Sequence, residues 1–111
     1  MKPVERRRER RIEFLGEQDG VPERELKALL VTELRRFPSV QGAYLARIGF
    51  APHAAPSVAL CLVPSSRDDR EIVQAVNRVF ASLFSSGQHL DVVFIDEQEE
   101  ADLRRVCPSF L

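Results

Sequence analysis

The chain runs through one pattern twice. Residues 22 to 50 read as an amphipathic helix and then an alternating strand, and residues 68 to 96 repeat that order, with a further strand at 56 to 64 between them. An apolar period that switches from three-or-four to two, and does so twice, needs helices with one buried stripe packed on a sheet. The 111 residues suffice for one such domain around one core, placed here at residues 12 to 111.

In the first unit, Pro22 suits an opening helical turn, where its missing N–H costs nothing. Leu26, Leu29, Leu30, Leu34 and Phe37 follow at intervals of three and four, and Pro38 closes the helix. Residues 41 to 50 then alternate, with Tyr44, Ala46, Ile48 and Phe50 on one side and Ala43, Leu45 and Arg47 on the other. The prolines at 52 and 56 mark a loop. Residues 58 to 63 are almost wholly apolar, as expected of a central strand buried on both faces.

In the second unit, Ser66 and Asp69 have capping-box spacing, and Ile72, Val73, Val76, Val79, Phe80, Leu83 and Phe84 form the helical stripe. Ser86-Gly87 ends that helix and residues 90 to 95 form a strand. Asp96 and Glu99 resemble a second capping box, opening a short helix over roughly 97 to 106 that Pro108 stops. Phe110 and Leu111 are apolar and are expected to dock back on the body. With a strand at Ile12, Phe14 and Leu15 and a glycine-flanked turn at 16 to 20, the order is β-α-β-β-α-β plus a terminal helix. That is the order of an α+β, ferredoxin-like two-layer sandwich. The first strand of that fold is central, however, and residues 10 to 15 are half charged. A sheet with this strand at its edge is the alternative.

Several blocks together resemble a family. FLGEQDGVPERELKALL, AYLARI, SVALCLV, QHLDVVFI and the ending LRRVCPSFL are similar, in this order, to the C-terminal domain of the SseB (enhanced serine sensitivity) family of bacteria. The similarity covers roughly residues 14 to 111. Family members often carry a second, N-terminal domain, in whose place this sequence has a short basic lead. The family name reports a serine-related phenotype, so the resemblance implies no reaction, cofactor or catalytic residue.

Composition narrows the function classes. A net charge of -1 gives no electrostatic motive for nucleic acid, and the strand SVALCLV carries neither the aromatics nor the bases of an RNA-binding sheet. No apolar run is long enough to cross a bilayer. Residues 1 to 11 hold six cations and two glutamates without an apolar segment after them, the pattern of a solvated basic tail and not of a secretory signal. The cytoplasm is the expected compartment. Gly16 and Gly20 flank acids, which would repel phosphate. Glu17 and Asp19 are too few for a hard cation, and His53, His89, Cys61 and Cys107 are too scattered for zinc. No cofactor is implied.

Cys61, inside an apolar strand, is expected to be buried and inert. Cys107 follows Arg104 and Arg105, which would make it the more reactive thiol, although a helix C-terminus opposes a thiolate. His89 and Asp91 open a strand on the face that also carries Val93 and Ile95, and with Arg47 they are the candidate binding residues, one wall of a small pocket. Leu30, Leu34, Val58, Leu60, Ile72, Val76, Phe80, Leu83, Val93 and Phe94 are the expected core.

These features favour a non-catalytic binding or assembly module. It would act through protein–protein contacts as a homodimer or with another protein. The expected surface is the sheet face opposite the helices or the edge of the Tyr44 strand. The alternative is a small-molecule-binding domain or weak enzyme at Arg47, His89 and Asp91.

Overall fold

The computed structural model describes residues 12–50, 56–63, 70–84, 88 and 90–111. The basic tail, the loop at 51–55, the Ser66/Asp69 cap, the Ser86-Gly87 stop and His89 lie outside them. The elements run β1 (Ile12–Glu17), α1 (Val21–Leu34), β2 (Gly42–Phe50), β3 (Ser57–Val63), α2 (Arg70–Leu83), β4 (Asp91–Phe94) and α3 (Glu97–Arg104). The α+β class and the β-α-β-β-α-β order with a terminal helix are those read from the periodicity.

Helix α1 begins with proline in its first turn and Glu23 at the positive end of its dipole. It ends before the stripe does. Arg36 N–H donates to the Glu33 carbonyl at 3.1 Å and Phe37 N–H to that of Leu34 at 2.9 Å, a tightening that turns the chain ahead of Pro38. Helix α3 begins as its sequence predicts. Glu99 N–H donates to Asp96 Oδ1 at 2.8 Å, and Asp96 N–H donates to Glu99 Oε1 at 3.0 Å, a complete capping box.

The sheet order is β1-β2-β3-β4, with β1 and β3 antiparallel to β2, and β4 parallel to β3. Its first strand therefore lies at the edge, where a ferredoxin-like sheet would hold it in the centre. The half-charged sequence of β1 is the physical reason, because an edge strand keeps a wet side. A bulge between Phe14 and Gly16 bends this edge. Gly16 takes φ 155° there, and a Cβ would stand 3.3 Å from Arg47 Nη2. The central places go to β2 and β3, so the Tyr44 strand offers no edge for a partner, contrary to the sequence expectation.

Helices α1 and α2 cover one sheet face. Leu26, Leu30 and Leu34 meet Ile72 and Val76 above Ala43, Leu45, Leu60 and Leu62. On the opposite face Tyr44, Ala46, Ile48, Ala59 and Cys61 pack with Leu103 of α3 and with Cys107. All of these sheet residues are 0% exposed, so the face expected to need a partner is already covered. Alternation along β3 thus feeds two cores, as its unbroken apolar run predicts. Of the expected core, Leu30, Leu34, Leu60, Ile72 and Val76 are buried, whereas Val58, Phe80, Leu83, Val93 and Phe94 are half-buried.

The C-terminal tail closes the side of β2 that β1 leaves open. Where β1 stops, Gln18 N–H reaches the Leu45 carbonyl at 3.0 Å, and the tail takes over the same side of β2. Phe110 N–H donates to the Ala43 carbonyl at 2.9 Å, and Ser109 Oγ accepts from Ala43 N–H at 3.3 Å. Phe110 and Leu111 then pack against the helix-side core. The apolar terminus docks because these contacts cap backbone groups that β1 leaves unpaired.

Candidate functional site

The three sequence-predicted binding residues do not share one wall. Arg47 pairs with Val58, which packs on the helix-side core, so its side chain rises from the helix face of the sheet. It is exposed, at the far end of β2. Asp91 pairs with Ala59, a member of the opposite core, and its Oδ2 accepts a hydrogen bond from Ser57 Oγ at 3.2 Å. Arg47 and Asp91 therefore lie on opposite faces, two strands apart. His89 lies outside the described residues.

The structure has instead an open groove on the flank of the domain, about 430 Å³ in volume, between α2 and β4. Val73, Asn77 and Phe80 of α2 form one wall. Gln88, Leu90, Asp91 and Val92 form the other. Of the predicted residues, Asp91 alone of the described pair reaches it. The groove exists because the apolar stripe of α2 is wider than what covers it. At 100° per residue the stripe from Val79 round to Phe84 spans roughly 140°. The margin around Ile72, Ala75 and Val76 is buried, while Val73, Phe80 and Phe84 at the other margin are half-buried. Phe80 and Phe84 stack on each other with centroids 4.7 Å apart. All four residues of β4 are likewise half-buried.

A second cluster escaped the sequence reading. The Tyr44 hydroxyl donates to Glu100 Oε2 at 2.5 Å and accepts from Arg104 Nε at 2.9 Å, while Arg104 Nη2 reaches the same carboxylate oxygen at 3.2 Å. Burial pushes the Tyr44 pKa up, the Glu100 hydrogen bond adds to this and Arg104 opposes it. The three groups satisfy one another and fasten α3 across the sheet, a structural role. The signal lay in a lone tyrosine on a strand's buried face and an i,i+4 Glu–Arg pair on a capped helix.

The thiols are not activated. Cys61 and Cys107 are both free and both buried. Burial, helped by Cys107 and Glu99, pushes Cys61 up to about 12. Burial also pushes Cys107 up to about 11, with Glu17 adding to the rise and Lys27 opposing it. Cys107 is raised less than Cys61, which keeps the expected order of the two thiols, but the arginines before it do not lower it. The Arg104 guanidinium is held by Tyr44 and Glu100, and the charge that raises the thiol is a carboxylate. The Cys107 thiol donates to the Leu45 carbonyl at 3.6 Å, a tail-docking contact. Glu17 and Asp19 both meet Lys27 Nζ, at 2.5 and 3.4 Å, and Asp19 also meets Arg24 at 3.3 Å. Those carboxylates are held by cations of the chain itself. Among the described residues no helix is long and apolar enough to cross a membrane.

Comparison with protein-family models, curated proteins and solved structures finds no match for this chain.

Proposed function

We propose that this domain is a binding or assembly module that acts through protein–protein contacts, with the α2–β4 flank as its contact surface. One observation carries the reading. The flank is where apolar side chains of helix and strand stay half-buried beside an open groove, while the centre of the sheet is buried on both faces. A small-molecule site would enclose most of its ligand, and an open trough does not. A helix wall beside an edge strand is instead a geometry that accepts protein segments. The block-by-block resemblance to the SseB C-terminal domain is compatible with such a module and brings no catalytic residue with it.

Site-specific photo-cross-linking tests the reading. A photoreactive residue at position 77, on the groove wall, should give protein adducts in cells, and the same residue at position 15, on the β1 edge, should give none. Equal labelling at both positions, or none at 77, overturns it. Saturable retention of a small metabolite by the groove would overturn it in favour of the small-molecule alternative.

A further inference from the structure

We infer that the occupant of the α2–β4 flank is a second copy of this chain, docked about a twofold axis with the two β4 strands antiparallel. The inference rests on reading this flank as the contact surface, and it adds what binds there.

The two sheet edges differ in how they are guarded. The β1 edge carries a bulge, Glu13 and Glu17. The β4 edge is a four-residue strand, DVVF, with one charge, Asp91, at its start and no bulge or proline, and no described strand pairs with its outer side. Ile95 N–H donates inward to the Leu62 carbonyl, so by alternation the backbone groups of Val92 and Phe94 point away from β3.

Layer spacing selects the partner. Strands sit about 4.8 Å apart and packed helices about 10 Å apart, so one helix covers two strands. Here α1 and α2 cover four. A lone extended segment added to β4 would lengthen the sheet and leave the outer side of α2 wet. A second copy lengthens both layers together and sets its α2 about one helix spacing, roughly 10 Å, from the first.

The helix flank is chemically self-complementary under that axis. Val73, Asn77 and Phe80 line the groove, and Phe84, one residue past the helix, continues their spacing of four, three and four and stacks on Phe80. In an antiparallel pair crossing at Asn77, the amide meets its own counterpart, donor to acceptor. Arg70 and Phe84 lie seven residues to either side, so each Arg70 stands opposite the other copy's Phe84, a cation above an aromatic face. The flank is about 21 Å long, the length of the fourteen residues of α2.

Sedimentation equilibrium of the full chain tests this. The dimer should appear at tens of micromolar. Asn77 is exposed, so Asn77→Lys and Asn77→Glu leave the fold intact, checked by circular dichroism. Each should weaken self-association by about tenfold or more through like charges at the axis, and an equal mixture of the two should dimerise again. Leu15→Lys, on the other edge, should leave the dimer unchanged. A monomer up to hundreds of micromolar, dimers indifferent to both Asn77 variants, or dissociation by Leu15→Lys would each overturn the second copy as occupant. If the chain is monomeric and position 77 still cross-links to a different protein, the second copy fails while the contact flank stands. If position 77 gives no adduct of any kind, the flank itself fails.

Discussion

The region around β2 and α3 and the flank formed by α2 and β4 are made of similar residues but differ in how they are sealed. Around β2, every inward side chain from Ala43 to Ala46 is 0% exposed, α3 lies across the sheet, and the tail covers the backbone that β1 leaves open. Along α2 and β4, Val73, Phe80 and Val92 remain half-buried around a groove, and Phe84 and Phe94 are half-buried near it. Hydrophobicity does not separate the two regions. What separates them is a third layer: β2 has neighbours on both sides and helices on both faces, and among the described residues β4 has a strand on one side only. An apolar residue is buried by what its element is packed between, and at a sheet edge half of that is missing.

The sharpest test of this contrast is a pair of truncations. Leu60→Ala, in the centre, should cost about 2–5 kcal/mol in urea unfolding. Phe80→Ala removes a larger side chain and should cost less, about 1–2 kcal/mol, because its site is half-open. The 3–5 kcal/mol expected of a fully packed phenylalanine does not apply here. If Phe80→Ala proves costlier than Leu60→Ala, the flank is as well packed as the centre and the contrast fails.

Alkali should attack the sealed region selectively. Both buried thiols hold their protons more tightly folded than unfolded, from an ordinary value near 9 up to about 12 for Cys61 and about 11 for Cys107. Their contribution is whole below pH 9 and is lost as the pH rises toward the folded values. Each group contributes a slope of up to about 1.4 kcal/mol per pH unit in that window. Unfolding free energies between pH 8 and 11 should fall accordingly, and Cys61→Ala should flatten the fall. A level profile would show that the thiols reach water.

Tyr44→Phe tests the clamp on α3. It removes a hydrogen bond to a carboxylate and should cost about 1.5–3 kcal/mol. Hydrogen exchange should then rise in α3 and the tail before it rises in α2. An unchanged α3 would mean that Leu103 and Cys107 hold the helix without the polar contact. The smallest effect belongs to the guarded edge. Leu15→Lys, at a side chain already 42% exposed, should move stability by less than about 0.5 kcal/mol.

Much of this architecture is legible in the residues alone, and the reason is local. Side-chain direction repeats every two residues in a strand and every 3.6 in a helix, so Tyr44 and Ala46 are assigned to one face and Leu45 to the other before any partner is known. The Asp96–Glu99 box and the two-faced apolar run of β3 are read the same way. Which strands become neighbours is set by contacts far apart in the chain, and the tertiary structure placed β1 at the edge and put Arg47 and Asp91 on opposite faces. The same holds for chemistry. Arg104 beside Cys107 in sequence predicts a lowered thiol pKa, yet in space the guanidinium turns to Tyr44, sixty residues away, and Glu17 is the charge that raises the thiol. The periodicity of the sequence determined which residues face inward. The tertiary structure alone decided what each of them meets there, because burial and charge depend on neighbours that no spacing along the chain encodes.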